Sequence, residues 1–167
     1  MQAFALKETM KNPFLKNKPS ERMQWQAKFF DVLLPLHKSH TVGAVQKLMA
    51  SIEAAAGSIR MRSKKAGVTA QFELSDLRQL VLDAYGKQCK YCDRIIHRHF
   101  LVFDHRQPLA LGGSSDAANL QVICKTCNGV KGSLCESDFL LLQDWLKGIP
   151  SSSLAANLTR RLCGVKF

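Results

Sequence analysis

Two pairs of cysteines, each pair separated by two residues, constrain this chain more than any other feature: Cys89 with Cys92, and Cys124 with Cys127. That spacing suits tetrahedral thiolate coordination better than the disulfide framework of a secreted protein. A structural zinc ion held by all four would tie its flanking segments together, and a core of this kind needs few hydrophobic residues. Cys135 and Cys163 are left over and are read as reduced thiols that behave as small buried hydrophobes.

Thirty-one residues lie between Cys92 and Cys124, more than a compact two-knuckle zinc ribbon needs. The interval begins with IIHRHFLVFDH, residues 95–105, whose β-branched and aromatic content predicts one strand ending in Asp104 and His105. LGGSS, residues 111–115, predicts a loop, residues 120–123 a second short strand, and residues 128–134 a helix. An acid and an imidazole side by side at a strand end, followed by Asn119 and Asn128, suit a hydrolytic centre beside a structural metal. His97 and His99 are read as partly exposed strand residues.

The run DHRQPLALGGSSDAANLQVICKTCNGVKG, together with the upstream CKYC, resembles the core of the HNH endonuclease family over roughly residues 72–135. The resemblance implies an α+β fold with a ββα-metal (His-Me finger) core, in which two antiparallel strands and a helix grip one divalent cation beside a four-cysteine zinc site. The first His of the family's motif falls on His105, its Asn on Asn119, and its last His position on Asn128, an HNN variant. Catalytic roles follow by resemblance. Asp104 and Asn128 become ligands of a catalytic cation, His105 the general base, Asn119 the residue that orients it, and Lys131 a phosphate contact. Replacing an imidazole ligand by an amide favours hard Mg²⁺ or Mn²⁺ over Zn²⁺ at that second site.

The rest of the chain is expected to serve this core. Residues 1–70 carry twelve Lys and Arg against four Asp and Glu, whereas residues 71–167 carry twelve against nine. The total net charge of +11 points to a polyanionic partner, nucleic acid first and an anionic membrane surface second; the nuclease resemblance implies DNA, expected to be double-stranded, held by a basic and mainly helical N-terminal extension. Within that extension Ser20 predicts a helix start, with Pro35 after its end, and Thr41 a second helix stopping at Gly57. IRMRSKKAG, residues 59–67, is read as a linker or a phosphate-contacting arm, with a solvated surface loop as the equal alternative. Residues 71–136 form the expected nuclease core, with a helix capped by Ser75. Residues 137–167 form a C-terminal segment whose helix runs from Ser137 to Gly148. Trp25, Phe29, Leu33 and Trp145 are read as core. The absence of a long apolar run and of a secretory leader in MQAFALKETMKN predicts an intracellular, cytoplasmic protein that does not enter a membrane. A non-catalytic zinc-binding DNA adaptor, descended from such a nuclease, is the rival function.

Overall fold

Ser20 opens the first helix as the sequence predicts: its hydroxyl accepts a hydrogen bond from the Met23 N–H, and α1 runs Glu21–Leu33. Trp25, Phe29, Phe30 and Leu33 recur at helical spacing and are all buried. Asn12 ties the preceding segment to this helix, donating to the Ala27 carbonyl at 2.8 Å and to Asp31 at 2.9 Å. The computed structural model describes residues 11–15, 18–37, 40–149, 153–154 and 157–158. Cys163 lies outside them.

The second helix is longer than expected. α2 runs Thr41–Lys65, passing through Gly57 and absorbing most of the basic stretch read as a linker. Its apolar stripe explains why: Ile52, Ala56 and Ile59 follow Leu48 at the same helical spacing and are buried, so packing continues past the glycine. A Cβ at Gly57 would meet nothing within 4 Å, so that glycine answers to no steric demand. Gly67, in the left-handed region with φ 72°, follows the helix. The chain forms two compact units, residues 1–49 and 50–167, so the second half of α2 belongs to the unit that carries the cysteines, whereas the sequence placed the boundary near residue 70.

After α2, β1 (Ala70–Gln71) leads into α3 (Leu74–Ala84). That helix is capped by Glu73 rather than Ser75, and the Glu73 N–H donates to the Asp76 carboxylate at 2.8 Å. β2 (Gln88–Cys89) and β3 (Cys92–Ile95) form the hairpin around the first cysteine pair. The single strand expected over residues 95–105 is therefore broken. β3 ends at Ile95, His97 to Phe100 make a turn in which His97 O accepts from the Phe100 N–H, and β4 begins at Leu101 and ends at His105. β5 (Ser115–Asp116) pairs in parallel with β1, and β6 (Leu120–Cys124) pairs antiparallel with β4. α4 (Lys125–Lys131) packs on both β4 and β6, completing a ββα arrangement, and α5 (Glu136–Lys147) follows. Trp145 on α5 is 58% exposed and is not core; Cys135 is only half-buried, its sulfur 3.0 Å from the Ser137 hydroxyl. No helix of the described residues is long and apolar enough to cross a membrane.

A cluster around Glu136 ties the start of α5 to the cysteine hairpin and to the end of β4. Its carboxylate accepts from Lys90 at 2.5 Å, Tyr91 at 2.6 Å and Arg106 at 3.0 Å, while its N–H donates to the Arg106 carbonyl. Burial by itself would raise the Glu136 pKa, but the three donors outweigh it and hold the group down at about 2 against an ordinary 4.5. A carboxyl depressed in the folded state stabilises it above the unfolded value and loses that contribution as pH falls through the folded one. The 22% exposure of the side chain screens the effect to on the order of 1–2 kcal/mol. In urea denaturation, Glu136→Gln should therefore be less stable than wild type by that amount at pH 6, and the gap should close as the pH drops from 4.5 toward 2. A gap that ignores pH would assign the loss to packing instead.

Candidate active site

β4 and β6 set the register of the site. Asp104 pairs across to Gln121 and His105 to Leu120. Successive side chains leave a strand on opposite faces, so Asp104 and His105 answer to different neighbours.

Asp104 faces α4. Its Oδ2 accepts from the Gln121 amide at 2.9 Å and lies 3.1 Å from the Lys131 ammonium, which also donates to the His105 carbonyl at 2.9 Å. Lys131, expected to reach a phosphate, is instead fully buried, and its charge is answered by Asp104. The physical reason is the position of α4: the helix starts at Lys125, three residues before the predicted start, and lies on β4, so the face carrying Asn128 and Lys131 at i, i+3 spacing turns inward. An ion pair this deep must satisfy its remaining donors and acceptors, which the His105 carbonyl and Gln121 do. Gln121 extends the network: its amide nitrogen also donates to the Tyr91 oxygen at 2.8 Å, and the Tyr91 hydroxyl donates in turn to the Glu136 carboxylate at 2.6 Å. Burial and the bond to Glu136 push the Tyr91 phenol far above its usual pKa.

His105 faces the other way. Its Nε2 lies 2.7 Å from the Ser115 hydroxyl, which in turn lies 2.6 Å from the Ser63 hydroxyl near the end of α2. Nδ1 has no hydrogen-bond partner among the described residues and is not sealed from solvent. Burial is the main cause that moves the His105 pKa below the ordinary imidazole value; Arg62 and Lys131 push the same way, and Asp104 opposes them.

Asn119 does not touch the ring. Its amide donates to the Gln107 and Ser114 carbonyls at 2.9 and 2.7 Å and accepts from the Gln107 N–H at 2.8 Å, while its backbone carbonyl takes the Arg106 N–H. It therefore staples the loop that leaves β4 directly after His105. The same loop requires Gly113, because a Cβ there would lie 1.9 Å from the Gln107 carbonyl oxygen. The side-chain amide of Asn128, half-buried on α4, makes no hydrogen bond with any described residue.

The cysteines come together as the spacing predicts. One ligand atom from each of Cys89, Cys92, Cys124 and Cys127 lies within 4.8 Å of the others. Tetrahedral zinc with Zn–S of about 2.3 Å puts sulfurs about 3.8 Å apart, and Cys92 Sγ lies 3.7 Å from Cys124 Sγ. Cys124 ends β6 and also caps α4, its sulfur accepting the Cys127 N–H at 3.3 Å. Burial alone would raise its pKa, but that N–H and the neighbouring thiols bring it below the ordinary value, while burial pushes Cys127 up. Four neighbouring thiols cannot all ionise without a cation, so the quartet fits a metal better than an empty cluster of thiolates.

Ser63, Ser115, Tyr91 and Gln121 are absent from the residues singled out in the sequence. Gln121 carried a signal, as a polar residue inside the apolar strand LQVIC, all five residues of which are buried. Ser63 carried none, since its partner lies 52 positions away. No curated protein matches this chain. Residues 89–134, from the first cysteine to just beyond α4, match the family described as HNH endonuclease.

Proposed function

We propose that this protein is a metal-dependent endonuclease that hydrolyses phosphodiester bonds in double-stranded DNA. The observation that carries the reading is His105: an imidazole at the end of β4, one ring nitrogen held by Ser115 and the other open, within the stretch that matches HNH endonuclease. In the reaction the open nitrogen takes a proton from water as the water oxygen bonds to phosphorus. The bond from phosphorus to the 3′ oxygen breaks, and that oxygen takes a proton from solvent. Asn119 serves the reaction by fixing the loop after His105.

Asp104 and Asn128 are the residues that would hold Mg²⁺ or Mn²⁺. The donor set fits a hard cation: Asn128 offers an amide oxygen with no competing bond among the described residues, and Asp104 Oδ1 has only a long 3.4 Å contact from Lys131. Such a cation, when bound, stabilises negative charge on the phosphate and on the leaving oxygen. The cysteine quartet would hold a structural zinc ion. The Lys131 ammonium on Asp104 is the one observation favouring the rival reading, a zinc-stapled DNA adaptor without turnover, because the carboxylate is already neutralised from within.

DNA contact falls most naturally to the end of α2, where Arg60, Arg62, Lys64 and Lys65 are exposed around buried Ser63. Contacts of this kind carry affinity without sequence information.

Three measurements check these assignments. Supercoiled plasmid should be nicked or linearised with Mg²⁺ or Mn²⁺ and left intact with EDTA or by His105→Ala; intact plasmid with wild type under every metal, with DNA binding preserved, would favour the adaptor. One zinc ion per chain should be found by elemental analysis, and Cys124→Ser should lose both the zinc and the cooperative unfolding transition of the core. Lys64→Gln combined with Lys65→Gln should flatten the dependence of log affinity on log salt by up to about 2 without changing relative affinity among duplex sequences.

A further inference from the structure

Ser63 belongs to α2, outside the stretch that matches the nuclease family, yet it is connected to His105 through a sealed line of hydrogen bonds. Its hydroxyl lies 2.8 Å from the Ile59 carbonyl and 2.6 Å from the Ser115 hydroxyl, and Ser115 lies 2.7 Å from His105 Nε2. Ser63 is 0% and Ser115 1% exposed, so no water mediates between them and the two hydroxyls must share their protons among three contacts.

Counting those protons sets the state of the ring. A carbonyl only accepts, so the Ser63 proton goes to Ile59. The contact between the two hydroxyls then uses the proton of Ser115. Ser115 has none left for His105, and the 2.7 Å contact is a hydrogen bond only if the imidazole supplies the proton from Nε2. The opposite wiring, Ser63 to Ser115 and Ser115 to Nε2, would leave two oxygens 2.8 Å apart at Ile59 with no proton between them. Backbone pairing holds the line in place: Ser115 is in register with Ala70 of β1, and the Ser63 carbonyl takes the Val68 N–H at 2.9 Å.

We propose that Ser63, acting through Ser115, fixes neutral His105 as the Nε2–H tautomer and so presents the Nδ1 lone pair as the proton acceptor. The two serines are positioning residues. The wiring stands on geometry alone, and only its effect on turnover rests on the nuclease function proposed above. The family core thus takes part of its proton wiring from a helix beyond the core.

The test is ¹⁵N NMR of the imidazole in the zinc-loaded full chain at a pH where the ring is neutral, with the His105 signals assigned by their loss in His105→Gln. Wild type should be protonated at Nε2. Ser63→Ala should free the Ser115 proton to turn toward Nε2, shifting the ring to the Nδ1–H form. In parallel, kcat for plasmid cleavage should fall about tenfold or more with KM for DNA unchanged. Ser63→Thr keeps the hydroxyl and should restore both readouts. A wild-type ring protonated at Nδ1, or a Ser63→Ala ring with the wild-type tautomer, overturns the wiring; a switched tautomer with full kcat overturns the positioning role. Tautomers as expected with no cleavage by wild type would uphold the wiring and sink the nuclease reading alone.

Discussion

Four sulfurs gather two segments that are far apart in the chain, and the short elements of the core depend on that gathering. The strands around them run two to five residues and α4 only seven. Isolated elements of such lengths are marginal in water. Cys124 concentrates the constraint, because one residue ends β6, caps α4 through its sulfur and joins the quartet. The direction in which α4 leaves the strand, and so the face it turns to Asp104, follows from that position.

Polar residues fill the space that a larger domain would give to hydrophobes. A continuous set of hydrogen bonds runs from Arg106 and Lys90 through Glu136, Tyr91 and Gln121 to Asp104 and Lys131. Such a network costs desolvation and is tolerable only when its members are satisfied. The network joins the cysteine hairpin to the strand that bears the candidate catalytic pair. The pair itself is divided by the pleat of β4: Asp104 is answered from α4, and His105 from β5 and α2. Because the adjacent residues face different neighbours, each is held by its own contacts.

Much of this is legible in the sequence. The α1 stripe with its Ser20 cap, the second strand and the cysteine quartet lie where apolar spacing, the capping residue and the C-x-x-C pairs place them, and α5 ends at Gly148 as expected but is capped by Cys135, with Ser137 inside the helix. The failures have specific causes. Gly57 reads as a stop only if its neighbours are ignored; burial of Ile52, Ala56 and Ile59 outweighs the modest cost of one glycine in a helix. Residues 95–105 have strand composition throughout, but β3 belongs to the cysteine hairpin and β4 to the sheet with β6, so a turn must separate them. Trp145 lies on an amphipathic helix whose apolar residues are only partly covered, with Phe139 its one fully sealed side chain among the described residues.

By itself the sequence determined the chemistry available: four thiols at metal spacing, an acid beside an imidazole at a strand end, two amides downstream, and a basic excess toward the N-terminus. Those properties depend on residue type and short spacing, which a one-dimensional pattern retains. Only the tertiary structure decided which partner each group meets: that Lys131 is sealed against Asp104, that Asn119 holds a loop instead of a ring, and that Ser63 reaches His105 through Ser115. Hydrogen bonds and ion pairs act over about 3 Å, and the folding of the chain alone brings residues tens of positions apart within that distance.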